Sequence, residues 1–167
     1  MSPHTDTDSP AASAPHYLCF RGAPRPITPH SNDSTTRSAT FAFPSAPERI
    51  AEVRHAVAAV LTYWNVDEDV RDMAVLTVSE LATNAVVHAA GSASITVLVE
   101  VASDLHVAVR DGSRKLPARK DPRGADNENS RGLAIVAALC SEWGTTVYGD
   151  GTKSVWANFL LPRGDSA

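Results

Sequence analysis

The chain has 167 residues, 19 of them acidic and 15 basic, giving a formal net charge of -4 and a pI near 5.8. That length supports one well-packed domain with a tail and is short for two, and 43% apolar with 20% charged residues is a globular composition. The acidic balance, with no basic stripe, argues against tracking a nucleic-acid backbone, and the only cysteines, Cys19 and Cys140, build neither a disulfide framework nor a Cys-based zinc site.

Residues 1–34 are rich in Pro, Ser, Thr, Ala and Asp, with Tyr17, Leu18 and Phe20 as the one sizeable apolar cluster. Such a stretch buries too little surface to offset its ordering entropy, about 1 to 2 kcal/mol per residue, and is expected to be a disordered tail. The opening Met-Ser-Pro-His-Thr-Asp has neither the basic nor the apolar region of a secretory signal. No apolar run approaches the roughly 20 residues that span a bilayer. A cytoplasmic protein without a membrane partner is therefore expected.

Residues 35–43 alternate around Thr36, Thr40, Phe41 and Phe43 and predict a first strand, ended by Pro44 and Pro47. Ser45, Pro47 and Glu48 then look like the start of a helix over 46–64, with Ser45 as its cap. Ile50, Val53, Val57, Val60, Leu61 and Trp64 recur along it at helical spacing. A second helix is predicted over 67–89, with Asp67, Glu68 and Asp69 in its first turn, where carboxylates suit the helix dipole, and Gly91 beyond its end.

Strict alternation predicts a hairpin of strands over 93–101 and 105–110. The stretch 111–129 carries glycines, prolines and many charges with almost no apolar side chains, and reads as a lid loop. A small-residue turn at 130–132 then opens an apolar helix, and strands over 143–148 and 154–161 close the chain as a second hairpin. Two helices followed by one, beside mostly antiparallel strands, imply an α+β two-layer sandwich with three helices on one face of a mixed sheet. The domain is expected to occupy 35–162, with 163–167 as a C-terminal tail.

Within the second helix, a turn of 100° per residue puts Glu80, Asn84 and His88 on one strip and Ala74, Val78, Leu81, Ala85 and Ala89 on another. An exposed helix face is normally rich in Lys and Arg, yet residues 73–89 contain neither. The polar strip is therefore expected to face a cavity whose ligand satisfies it. Two further pieces follow in order: Asp111-Gly112-Ser113 ending a strand, and Arg131-Gly132-Leu133 at a helix start after the lid.

With these pieces in this order, residues 41–162 resemble the GHKL superfamily of ATP-binding domains, which includes gyrase, histidine kinases and MutL and has the Bergerat sandwich. Among its branches, the chain is most similar to the single-domain anti-sigma factor serine/threonine kinases. The stretch Val78 to Ala89 resembles the superfamily's N box, and Gly151-Thr-Lys-Ser-Val-Trp-Ala157 its closing strand. The resemblance implies ATP and Mg²⁺ as cofactors, Asn84 as the amide that holds the metal, and Glu80 as general base. It implies Asp111 as the acceptor of the adenine amino hydrogen and Ser154 in place of a Thr that reaches adenine through water. Ala85, His88, Ser113, Ser130, Arg131, Gly132 and Leu133 would line the nucleotide, with backbone N–H groups at 131–133 cradling phosphates. Arg110 and the lid's Arg114, Lys115, Arg119, Lys120 and Arg123 are candidates to neutralise phosphate charge.

By the same resemblance the partners are a sigma factor and an anti-sigma factor antagonist protein phosphorylated on serine, with homodimerisation compatible. The boxes depart from the family where Gly112 directly follows Asp111, where Ser113 takes the third position of Asp-x-Gly, and where Ser130 replaces a glycine. Both serines reduce backbone freedom at close approaches. They motivate a second reading, a non-catalytic partner-binding or nucleotide-sensing module with a degenerate pocket.

Overall fold

The computed structural model describes residues 16–19, 36–88, 92–113 and 128–162, the side chains of 16–19 and 128–131 excepted. Six strands form one sheet in the order β1-β5-β6-β4-β3-β2. They are β1 (His16–Cys19), β2 (Arg37–Pro44), β3 (Ser94–Val101), β4 (Asp104–Asp111), β5 (Glu142–Val147) and β6 (Lys153–Leu160). Every pairing is antiparallel, so among the described residues the sheet is wholly antiparallel rather than mixed. The helices are α1 (Ile50–Tyr63), α2 (Glu68–His88) and α3 (Glu128–Leu139). The architecture is the expected α+β one.

The start of the first helix differs from expectation. Ser45 does not cap it: its N–H donates to the carbonyl of Ala93 at 3.1 Å, and Pro47–Arg49 form a short 3₁₀ turn, with Ala46 before it, leading into α1. At the other end, Asn65 adopts φ 54°, the left-handed conformation that Asn tolerates. The N–H groups of Asn65 and Val66 then reach back to the carbonyls of Thr62 and Leu61, both at 3.0 Å, which satisfies the last turn. Asp67 accepts the N–H groups of Asp69 and Val70 at 3.1 and 3.2 Å and caps α2.

Helix α2 is the centre of the packing, touching α1, α3, β3, β4 and β6. Its strip Ala74, Val78, Leu81 and Ala85 is buried as the periodicity requires. These side chains meet Val53, Val57 and Leu61 of α1 and the inward residues of the strands, among them Val97, Val99, Val107, Val109 and Phe159, in one core. Each fully buried aliphatic contributes about 1.5 to 3 kcal/mol. The strand His16–Cys19 lies inside the stretch that composition assigns to a disordered tail. It is held to β5 by backbone pairing, His16 opposite Val147 and Cys19 opposite Gly144. The rest of 1–35, the lid at 114–127 and Ala89 lie outside the described residues. Among the described residues no helix is long and apolar enough to cross a membrane.

Candidate functional site

Glu80 and Asn84 stand one helical turn apart on α2, both partly buried. The third member of the group comes from α3. A Cβ on Gly132 would lie 2.6 Å from Glu80 Oε2 and 3.7 Å from Asn84 Nδ2, so the absence of a side chain at residue 132 lets α3 lie against the polar strip without displacing the Glu80 carboxylate. Asn84 Nδ2 is buried there without a hydrogen-bond partner. A buried donor in that state costs about 1 to 3 kcal/mol until an acceptor reaches it. Gly132 is thus brought to Glu80 and Asn84 as the motif order suggested.

Its role differs from the expected one. Because α3 begins at Glu128, Gly132 sits in the second turn, where a backbone N–H is directed to the carbonyl four residues earlier. The N–H groups of this helix that lack an intrahelical acceptor precede residue 131. The N–H groups at 131–133, expected to cradle phosphates, lie within the helix, and Gly132 provides the close approach to Glu80 and Asn84. The side chains of Ser130 and Arg131 lie outside the described ones. Leu133 packs against the core, Ala85 is 4% exposed, and His88 is the last residue of α2.

Asp111 ends β4 on the same face as Val107 and Val109, toward the helices, and is 3% exposed. Its Oδ1 accepts the N–H of Ser113 at 2.7 Å. Lys153, directly opposite on β6, donates to Oδ1 at 2.8 Å and Oδ2 at 2.9 Å. This is a buried ion pair, with side-chain exposures of 5% and 2%. Removing one partner of such a pair leaves an uncompensated buried charge, at a cost of about 3 to 5 kcal/mol. Gly112 donates its N–H to Ser92 Oγ at 3.3 Å.

Two expected site residues point the other way. Ser154 pairs in register with Arg110, and side chains alternate along a strand, so both lie on the face opposite Asp111. Lys153, and not Ser154, is the β6 residue directly opposite Asp111. Arg110 is likewise removed from the pocket. It donates to Thr152 Oγ1 at 2.9 Å and Asp150 Oδ2 at 2.6 Å and lies 4.3 Å over the Tyr148 ring. The Thr152 hydroxyl, then its backbone N–H, and then Arg110 hold the Asp150 carboxyl below its ordinary 3.8. The lid cations Arg114, Lys115, Arg119, Lys120 and Arg123 lie outside the described residues.

Lys153 is the site residue that sequence reasoning missed. The available signal was the inward phase of β6, in which Lys153, Val155, Ala157 and Phe159 alternate with Ser154, Trp156 and Asn158.

In comparison with known proteins, residues 43–159 match the family described as the histidine kinase-like ATPase domain. Among solved structures, the chain is similar to the crystal structure of the RsbU and RsbW domains of Rv1364c from Mycobacterium tuberculosis, at 20% identity and a TM-score of 0.59. The match covers 76% of this chain and 33% of that one. No curated protein matches. Since the family match takes in α1, α2, the β3–β4 hairpin, Asp111, Gly132 and nearly all of β6, the chain belongs to the histidine kinase-like ATPase domain family.

Proposed function

We propose that this chain is an anti-sigma factor regulator that binds ATP with Mg²⁺ at the α2–α3 cleft and transfers a phosphoryl group to a serine of an antagonist protein. In its other state it would sequester a sigma factor. The observation that carries the nucleotide part is the buried, unpartnered Asn84 Nδ2 beside Glu80 and Gly132. A donor and a carboxylate stand there one turn apart on α2, with the α3 backbone at Gly132 against them. Family membership implies nucleotide binding; the kinase activity and the partners rest on the resemblance to anti-sigma factor kinases and on the RsbW-containing structural neighbour.

The donor set suits Mg²⁺. Mg²⁺ characteristically takes one or two protein oxygens beside phosphates and water, and the Asn84 amide oxygen is a ligand of that kind. A half-turn of the Asn84 amide exchanges its nitrogen for its oxygen, so the residue can serve a phosphate or a cation. When bound, the ion supplies neutralisation of phosphate charge. Glu80, one turn away, would accept the proton of an incoming serine hydroxyl or orient it.

The test is transfer of radiolabelled phosphate from ATP to candidate antagonist proteins. The proposal expects labelling of serine that is lost in Asn84→Ala and reduced at least about a hundredfold in Glu80→Ala. Full-rate labelling by Glu80→Ala removes the base assignment. A second reading, a partner-binding module without catalysis, is favoured by the Asp111–Lys153 pair, in which the chain's own lysine occupies both carboxylate oxygens. Absence of label together with absence of nucleotide binding selects it.

A further inference from the structure

We infer that the sheet face opposite the helices is covered by this chain's own residues 20–35, a basic, proline-rich strap that crosses it from one edge to the other. The inference is independent of the nucleotide reading. In the order β1-β5-β6-β4-β3-β2 the two edge strands are consecutive in the chain. The connection must therefore span the whole width of the sheet, about 24 Å, and a stretch as long as 20–36 reaches about 56 Å when extended. One face is already taken, because α1, α2 and α3 pack on the side of Val97, Val107 and Phe159.

The burial on the other face calls for a cover. Trp156 points outward from β6, opposite Ala108 on β4 and Gly144 on β5, two residues too small to roof an indole. Its N–H donates to Thr146 Oγ1 at 3.2 Å, and the His106 ring flanks it with centroids 6.0 Å apart. Those neighbours stand on the same sheet and meet its edges, since side chains rise from a sheet side by side. Yet Trp156 is only 7% exposed, and Ala108, Ser154 and Thr146 around it are buried too. No described helix lies on this side.

The end points and the chemistry select residues 20–35 as the cover. The stretch leaves β1 after Cys19, opposite Gly144, and has returned by Ser38, opposite Glu100. Glu142, Asn158, His106 and Glu100 form the outward row between those points, with Asn158 joined to His106 at 2.7 Å and to Glu142 at 3.5 Å. Two carboxylates thus face a stretch that carries Arg21 and Arg25 against the single acid Asp33. Pro24, Pro26 and Pro29 favour an extended chain that needs no ladder partner and packs on aromatic surfaces, and Trp156 offers one.

The test is ¹⁹F NMR of the full chain carrying 5-fluorotryptophan, with Trp156→Phe to assign its line and Trp64 and Trp143 as internal controls. In wild type the Trp156 line is expected to shift little between H₂O and D₂O. In a triple variant, Pro24→Gly, Pro26→Gly and Ile27→Asp, it is expected to move and gain a solvent shift while the two control lines stay in place. The charge reversal Arg21→Glu with Arg25→Glu is expected to move it the same way, and decides the matter should all three lines move in the triple variant. A solvent-exposed Trp156 in wild type, or an unmoved line in these variants, overturns the inference. A wild-type line that changes on dilution, with a dimer in sedimentation, assigns the cover to a second copy and overturns it as well.

Discussion

Replacing Gly132 by alanine separates the stability of the α2–α3 contact from its chemistry. The added Cβ would lie 2.6 Å from Glu80 Oε2 and 3.6 Å from Glu80 Cδ, while carbon and oxygen in contact stay at least about 3.2 Å apart, so the carboxylate must retreat by roughly 0.6 Å. Oε2 is the far end of a flexible side chain, and a modest rotation off its preferred torsion costs about 0.5 to 1.5 kcal/mol. Against this, alanine in a helix interior gains about 1 kcal/mol over glycine. The two nearly cancel. Gly132→Ala is expected to melt within about 3 °C of wild type, yet a displacement of this size at a catalytic carboxylate costs between about ten- and a hundredfold in phosphoryl transfer.

The double-mutant cycle makes the cause explicit. With Glu80 already reduced to alanine, the clash partner is gone. Gly132→Ala should then stabilise the protein by about 1 kcal/mol and slow transfer no further. Differential scanning calorimetry and single-turnover labelling of the antagonist read the two effects separately. Full transfer activity in Gly132→Ala, or a large loss of stability in the Glu80→Ala background, would refute the reasoning.

Thr77 is wholly buried on α2 and its hydroxyl finds no partner; Thr77→Val, nearly the same shape, is expected to raise the melting temperature by about 3 °C, an unchanged or lower value counting against the assignment. Asp150 should titrate below 3.8 by NMR, and Thr152→Val should bring it back toward 3.8, because the Thr152 hydroxyl is the largest cause of the depression. Since that carboxyl is depressed in the folded state, its contribution to stability is present above its unfolded pKa and is lost as pH falls from there through the lower folded value. The acid transition of Thr152→Val should accordingly begin at higher pH than that of wild type.

Much of this architecture is legible in the sequence because helix and strand periods differ so sharply. The 3.6-residue recurrence of Ala74, Val78, Leu81 and Ala85 and the alternation of Ile95, Val97, Val99 and Val101 are the same residues that form the core. For Asn84 and Glu80 a polar strip with no Lys or Arg around it implies a setting away from bulk water, and both are partly buried with the α3 backbone at Gly132 against them. The partner of Asp111 was not read. In a strand a single step reverses the face, so Ser154 lies across the sheet from Lys153, and the partner that fixes the phase, Asp111, is 42 residues away in the chain. The start of α3 was obscured because Glu128 and Asn129 share the polar character of the loop before them. The strand His16–Cys19, paired to β5, has only 4 residues, too few for its Tyr17 and Leu18 to set up an alternation.

The central claim is that Asn84, Glu80, Gly132 and Asp111 face one nucleotide. Calorimetric titration of Mg-ATP into the wild-type chain and into Asn84→Ala tests it most directly. The account predicts saturable binding by wild type and a loss of about a hundredfold in the variant, the worth of charge-assisted contacts to phosphate and metal. Equal affinities in the two proteins, or no heat in either, would contradict it.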